Sequence, residues 1–159
     1  MSKVSVTATK EFTWDCAHLL AGHEGLCKNL HGHTYKLLVT VKRLFEDTIE
    51  EGPSKGMVVD FKDLKNYVVD NIVSPLDHST IIDMSNEDAF EAGLYHLLNN
   101  HDKKIFRVWY RPTAENMARD FFFILNNSLE TAGANYRVVY LRLYETPTSY
   151  AEIIKQEDN

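Results

Sequence analysis

The sequence contains few of the features that mark specialised protein classes. It has two cysteines and four prolines among 159 residues, and no run of Lys and Arg is longer than two residues. The net charge of -6 and the absence of a basic stretch argue against a nucleic-acid-binding surface. No apolar run reaches the length of a membrane span, and residues 1–14 lack the apolar core of a signal peptide. We therefore expect a cytoplasmic protein without nucleic-acid or membrane partners.

The remaining composition is that of an ordinary globular protein. Hydrophobic residues make up 44% of the chain and charged residues 25%. A chain of this length fits one domain, which we assign to residues 1–159. In a reducing compartment Cys16 and Cys27 are expected to be thiols, so packing, metal ligation or reactivity must account for each of them.

Four segments alternate polar and apolar residues with a period near two, which predicts β-strands. These segments are 4–14, 35–45, 136–145 and 148–154, and a short extended piece is predicted at 57–61. Three segments have apolar residues at helical spacing: 60–73, capped by Asp60 and ending before Ser74-Pro75; 85–100, capped by Ser85 or Asn86; and 111–133, capped by Thr113 and closing at Gly133.

This order of elements predicts an α+β fold. We expect a four-stranded antiparallel sheet with helices on one face. So small a sheet leaves two edge strands whose backbone groups need protection or a partner. Association of several copies of the chain is therefore expected.

Three histidines form a candidate metal site. His31 and His33 flank Gly32 just before the predicted strand 35–45, and if this stretch is extended their side chains point to the same face. His18 stands just past the first strand, where an antiparallel partner could bring it opposite the pair. Three imidazoles with a fourth position open are typical of a catalytic zinc site.

Three alternatives remain open from the residues themselves. The HGH stretch can be a turn with two surface histidines. Cys27 can complete a closed structural zinc site with three imidazoles, which leaves no position for a substrate. His23 competes with His18 as third ligand, although its glycine-flanked context, GHEG, favours a solvent-facing side chain.

Six motifs in order carry a family resemblance over nearly the whole chain. CxxxHGH (Cys27 to His33), preceded by WDCAH and followed by VVDFKDLK, LDH, PTAEN and YETPTS, resembles the 6-pyruvoyltetrahydropterin synthase family. Three residues separate Cys27 from His31. This spacing is similar to that of the family branch that forms 6-carboxytetrahydropterin in the bacterial queuosine pathway.

The resemblance implies a fold, an assembly and a reaction. The fold is the tunnelling fold, in which subunits join edge to edge into a barrel, commonly as trimers stacked into hexamers. The reaction is a zinc-dependent lyase reaction that converts 7,8-dihydroneopterin triphosphate to 6-carboxytetrahydropterin, acetaldehyde and triphosphate. Compared with compact members, the chain has an apparent insertion at about 84–110, whose His96 and His101 we interpret as incidental.

The resemblance also assigns site residues. It implies that zinc is bound by His18, His31 and His33, and that Cys27 is a proton acceptor acting with Asp77-His78. Without the resemblance, the LDH motif (residues 76–78) is equally well explained as the end of a helix that packs against the core. Glu145 of YETPTS matches the glutamate that anchors the pterin ring.

Two further residues receive smaller roles. Thr113 of PTAEN has at most a supporting role in substrate binding, because helix capping alone explains a threonine at this position. In the same way, a position in the first turn of a helix explains Glu115. Cys16 is interpreted as a packing residue.

Two competing functions share these residues. One is 6-pyruvoyltetrahydropterin synthase or a related enzyme acting on the pterin side chain, which would use the same ligands and the same anchor. The other is a non-catalytic zinc-binding module in which Cys27 completes the coordination. Product analysis and the zinc content of a Cys27 variant distinguish them.

Overall fold

The computed structural model describes residues 4–155; the predicted domain bounds, 1–159, extend beyond them at both ends. The strands are β1 (Ala8–His18), β2 (His31–Arg43), β3 (Thr80–Asp83), β4 (Ile105–Val108), β5 (Tyr136–Thr146) and β6 (Ser149–Ile154). The helices are α1 (Phe61–Val68), α2 (Ser74–Leu76), α3 (Ala89–Asn100) and α4 (Ala114–Thr131). A π-helical segment, Val69–Val73, joins α1 to α2, and a 3₁₀ turn, Leu26–Lys28, lies between β1 and β2.

The strands form one sheet in the order β4-β3-β1-β2-β5-β6. The four long strands pair antiparallel, whereas β3 pairs parallel with both β1 and β4. The α+β class is confirmed, but the predicted count of four strands is wrong, because the sheet in residues 4–155 has six.

The two unpredicted strands are short. β3 and β4 have four residues each, which is too few for a period of two to be recognised in the sequence. Two of the four β3 residues are consecutive buried isoleucines, Ile81 and Ile82, so polar and apolar residues do not alternate there. The extended piece predicted at 57–61 was also wrong, because Val58 and Val59 lie in a bend before α1.

Helix α4 begins as the sequence predicts. The Thr113 side chain accepts a hydrogen bond from Asn116 N at 3.3 Å, and Gly133 closes the helix with a φ of 67°. The predicted cap of α3 was wrong, because Asp88 rather than Ser85 or Asn86 accepts from Glu91 N at 2.8 Å.

The first helical segment also extends further than predicted. It passes Ser74-Pro75 and ends at Leu76. Ser74 N donates to Val69 O, five residues earlier, which is the π-helical hydrogen-bond pattern. The pattern has therefore shifted before Pro75, which has no N–H to donate.

One face of the sheet carries the core. On β1, Phe12, Trp14 and Cys16 are buried while Thr13 and Asp15 between them are exposed. The buried faces of β2 and β5 continue this layer, and α1 and α4 pack on it with the buried residues Leu64, Val68, Met117, Phe121, Leu125 and Leu129. This packed layer reaches the end of β1 and the start of β2, where the histidines lie.

Candidate metal centre and substrate cavity

The pairing of β1 with β2 brings the three predicted histidines together. His18 is directly opposite His31, and Cys16 is directly opposite His33. Directly paired residues of antiparallel strands share a face, so His18, His31 and His33 project to the same side. One nitrogen of each ring lies within 4.8 Å of a nitrogen of the others, a cluster that could bind a metal ion.

Backbone carbonyls fix the orientation of two of these rings. His18 Nδ1 lies 2.9 Å from Pro112 O, and His31 Nδ1 lies 2.6 Å from Asn29 O. A carbonyl oxygen only accepts hydrogen bonds, so Nδ1 carries the proton in both rings and Nε2 presents a lone pair. This tautomer is the one that a metal-binding histidine needs.

Two of the three Nε2 atoms have no hydrogen-bond partner in the described part of the protein. Among residues 4–155, the Nε2 atoms of His18 and His33 are buried and accept no hydrogen bond. A buried nitrogen without a partner is costly, and a metal ion would satisfy it. The donor set, three neutral imidazoles, fits Zn²⁺ with a fourth position left for water or substrate.

Burial favours the neutral form of two of the imidazoles, those of His18 and His33. Burial lowers the pKa of His18 to about 4; the neighbouring His31 and His33 add to this, while the Pro112 carbonyl opposes it. Burial also lowers the pKa of His33, with Glu145 opposing. A metal ligand must be unprotonated, so these shifts favour binding at neutral pH.

The two cysteines lie in different environments. Cys16 is buried, and burial raises the pKa of its thiol to about 12, so it packs as a neutral side chain. Cys27 is half-buried in the 3₁₀ turn, where its carbonyl accepts from Leu20 N at 2.8 Å. Within the described chain, the thiol of Cys27 is not part of the histidine cluster.

His23 is likewise separate from the cluster. Its side chain is exposed, and its Nδ1 accepts from Gly25 N at 2.9 Å. This placement agrees with the solvent-facing position that its sequence context favours.

Asp77 and His78 form a close pair on the far edge of β1. His78 Nδ1 lies 2.9 Å from Asp77 Oδ1, and the side chain of His78 is 79% exposed. The backbone of Asp15 holds the pair: Asp15 N donates to Asp77 Oδ1 at 3.2 Å, and His78 N donates to Asp15 O at 2.7 Å. The bond from Asp15, aided by His78, holds the pKa of Asp77 below its usual value.

The backbone of His78 is unusual. Its φ is 61°, in the left-handed region that few residues other than glycine adopt. Such a conformation persists only where surrounding contacts fix it. Among the described residues, no hydrogen bond or ion pair joins Asp77 or His78 to Cys27.

Glu145 lies beside the histidines because of an irregularity in β5. The pairing of β5 with β6 shifts between Tyr144 and Thr146, so Glu145 is the unpaired residue of a bulge. Its Oε1 is 3.8 Å from His33 Nε2. Glu145 and His33 border a cavity of about 500 Å³, which Thr13, Gly32, Thr34, Lys36, Tyr144, Thr146 and Pro147 also line.

Sequence reasoning missed the two backbone carbonyls that orient the imidazoles. Pro112 precedes Thr113 in the PTAEN motif, but the atom that reaches His18 belongs to the backbone and leaves no signature in residue type. The hydroxyl of Thr113 itself caps α4. A contact of Thr113 with substrate stays a prediction.

Comparison with known proteins identifies a family and named relatives that match most of the chain. A family model described as 6-pyruvoyl tetrahydropterin synthase matches residues 7–156. The chain is 44% identical over 144 residues to a protein of Haemophilus influenzae named 6-carboxy-5,6,7,8-tetrahydropterin synthase, covering 91% of this chain and 95% of that one. A protein of Aquifex aeolicus with the same name is 40% identical over 129 residues, covering 79% of this chain and 74% of that one.

Solved structures agree in fold. The 6-pyruvoyl tetrahydropterin synthase of Caenorhabditis elegans superposes with a TM-score of 0.63 at 20% identity, covering 95% of this chain and 96% of that one. An uncharacterized protein of Wolinella succinogenes gives a TM-score of 0.68 at 21% identity, covering 97% and 100%. No helix among residues 4–155 has both the length and the apolar character needed to cross a membrane.

Proposed function

Because the chain belongs to the 6-pyruvoyl tetrahydropterin synthase family, we propose that it is a 6-carboxy-5,6,7,8-tetrahydropterin synthase of the queuosine pathway. The reaction converts 7,8-dihydroneopterin triphosphate to 6-carboxytetrahydropterin, acetaldehyde and triphosphate. The two relatives that carry this name support the proposal. The observation that carries it is the cluster of three histidines, two of which have buried Nε2 atoms without a hydrogen-bond partner among the described residues, beside the cavity that His33 and Glu145 border.

His18, His31 and His33 are the proposed zinc ligands. Zinc bound there would act as a Lewis acid toward the hydroxyl groups of the substrate side chain. Two of the rings are oriented by the protein itself, because Pro112 O and Asn29 O accept hydrogen bonds from Nδ1 of His18 and His31 and leave Nε2 available to a metal ion. Burial among the core strands limits the movement of His18, which is 1% exposed.

Glu145 is the proposed anchor for the pterin ring. The N3–H and 2-amino group of a pterin form a flat edge with two donors, and one carboxylate can accept both hydrogen bonds. Glu145 is part-exposed at the rim of the cavity of about 500 Å³, a volume suitable for a small bicyclic ligand. The bulge in β5 places this carboxylate beside His33, so a ring held there lies next to the metal ligands.

Cys27 and the Asp77-His78 pair are the proposed proton-transfer groups. A carboxylate bonded to Nδ1 fixes the tautomer of an imidazole and stabilises its charged form. The Asp77 carboxylate lies 2.9 Å from His78 Nδ1, which fixes the tautomer of His78 and leaves Nε2 directed away from the carboxylate. Cys27 has the half-buried position that a thiol needs to reach both solvent and substrate.

Among the described residues, Cys27 and the Asp77-His78 pair share no hydrogen bond or ion pair, which favours a site shared between copies. The two anchoring points differ: the turn of Cys27 is bonded to Leu20, and Asp77-His78 is bonded to Asp15. His78 is also highly exposed. We infer that His78 of one subunit serves Cys27 of another, in the trimer or hexamer that the open edges of β4 and β6 favour.

Mixing inactive variants tests the shared site. Cys27→Ala and His78→Ala are each expected to be inactive alone. Refolded or exchanged together, they should form mixed oligomers in which some sites contain both residues, and part of the activity should return. Recovery must be absent when Cys27→Ala is mixed with the double variant Cys27→Ala/His78→Ala, which can form no complete site.

Product identification tests the function itself. Zinc-loaded protein is incubated with 7,8-dihydroneopterin triphosphate, and the pterin product and released acetaldehyde are identified by mass spectrometry. Acetaldehyde with 6-carboxytetrahydropterin is expected. A 6-pyruvoyl product without acetaldehyde would assign the chain to the 6-pyruvoyltetrahydropterin synthase reaction, and zinc binding without any turnover would favour the non-catalytic module.

A further inference from the structure

A lysine outside the predicted site holds the turn that carries Asp77 and His78. Lys104 Nζ donates a hydrogen bond to Ser74 O and another to Asp77 O, each at 2.6 Å. The backbone of Lys104 adds a third bond, since Thr80 N donates to Lys104 O at 3.0 Å. Side chain and backbone of one residue therefore contact the chain on both sides of His78.

Lys104 binds carbonyl groups at the end of the helical segment that accept no backbone hydrogen bond there from any described residue. Val73 O accepts from Asp77 N at 2.8 Å, and Leu76 O accepts from Ser79 N at 2.9 Å. Ser74 O and Asp77 O receive the ammonium instead. The carbonyl end of a helix attracts a cation, so a lysine is suited to this position.

The Asp77 carbonyl belongs to the peptide bond that leads into His78. Its orientation is therefore linked to the left-handed φ of His78, 61°. If that carbonyl is released, the bond from His78 N to Asp15 O is the only one within the described chain that still holds the peptide, which can then tilt toward conformations that are normally favoured for histidine. The His78 ring would then lose its alignment with the Asp77 carboxylate, 2.9 Å away.

We propose that Lys104 is a positioning residue that fixes the Asp77-His78 pair for proton transfer by holding the Asp77 carbonyl. The catalytic meaning of this proposal depends on the proposed function, whereas the positioning does not. It also gives a role to the segment 84–110, in which Lys104 lies. The charged and titratable groups near His78 include Asp77 on its own turn and Lys104. Asp15 and Cys16 on β1 and His33 on β2 border the same cavity as His78.

The test compares three lysine variants. Lys104→Met removes the donors and keeps the length of the side chain, and Lys104→Arg keeps the charge and has enough N–H donors for both carbonyls. Lys103→Met is the matched control, because Lys103 is exposed and its side chain makes no hydrogen bond or ion pair with any described residue. Each variant is measured for zinc content, kcat, KM and the imidazole NMR signals of His78.

For Lys104→Met we expect kcat to fall about tenfold, the usual scale for loss of a hydrogen bond to a charged group. KM and zinc content should not change, since Lys104 contacts neither the cavity nor the histidine cluster. The His78 imidazole signals should shift and its amide hydrogen should exchange faster with solvent. Lys104→Arg should restore kcat and the signals, and Lys103→Met should match wild type.

The proposal is wrong if Lys104→Met has the same His78 NMR signals and the same kcat as the wild-type protein. It is also wrong if Lys104→Arg loses as much kcat as Lys104→Met. If Lys104→Met does not fold, Lys104→Leu, which also lacks a donor, replaces it under the same criteria. If the wild-type protein forms no product, the proposed function fails, and the NMR signals and amide exchange of His78 still decide whether Lys104 positions it.

Discussion

His18 and His31 face each other across neighbouring antiparallel strands, and their ring centroids are 4.7 Å apart. Each ring donates through Nδ1 to a different loop carbonyl, Pro112 O and Asn29 O. Both Nε2 atoms are thereby available to one ion. This relationship is the basis for predictions about metal binding.

Replacing His31 by alanine should abolish stable zinc binding. Mutation of a residue that only hydrogen-bonds to a metal ligand lowers the metal affinity by about 10–100-fold. Removal of a ligand itself should lower the zinc affinity further. Zinc content after dialysis, measured by mass spectrometry of the metal, checks this. His23→Ala is the control and should keep its zinc, because His23 lies outside the cluster.

Replacing Cys27 by alanine should leave zinc bound and remove turnover. The thiol lies outside the histidine cluster, so its loss removes a proton acceptor and not a ligand. Zinc content and product formation are measured on the same sample. If the variant loses its zinc, Cys27 is a ligand and the assignment as base is wrong.

Cys16→Ala is the matched comparison for Cys27→Ala. It should keep zinc and turnover while lowering the free energy of unfolding by about 1 kcal/mol, because Cys16 packs in the core. Urea denaturation gives this value. Loss of turnover without loss of stability would instead assign Cys16 a role in the reaction.

Replacing Glu145 by glutamine should raise KM more than it lowers kcat. The amide can accept only one of the two donors of the pterin edge and presents an N–H to the other, so we expect a KM increase of about 10–100-fold. Glu130→Gln, at an exposed position near the end of α4, should leave both constants unchanged. Equal KM values for Glu145→Gln and wild type would remove Glu145 from the binding site.

The contribution of Asp77 to stability should depend on pH. Its pKa is lower in the folded protein than the value of about 3.9 expected in the unfolded chain, so its ionised form stabilises the fold. This stabilisation is present above about pH 4 and is lost as the pH falls through the folded pKa. Urea denaturation of wild type and Asp77→Asn at several pH values should therefore show a difference at pH 6 that shrinks toward pH 3. A difference independent of pH would contradict it.

Some parts of the fold could be read from the sequence because they depend on local patterns. The four long strands have a period of two, and α4 has Met117, Phe121, Leu125 and Leu129 at intervals of four with a capping threonine. The short strands β3 and β4 have no such pattern. They form because they pair with β1 and with each other, which is a long-range interaction.

Around the metal centre, the sequence by itself determined that His31 and His33 are two residues apart, a spacing that puts both side chains on one face wherever the chain is a regular strand, as it is in β2. The tertiary structure alone decided that His18 pairs with His31 and that Pro112 O and Asn29 O orient the rings. It also decided that a bulge turns Glu145 toward His33 and that Lys104 reaches the turn of His78. Strand register, bulges and backbone carbonyls depend on which distant segments meet, and residue types along the chain do not specify that.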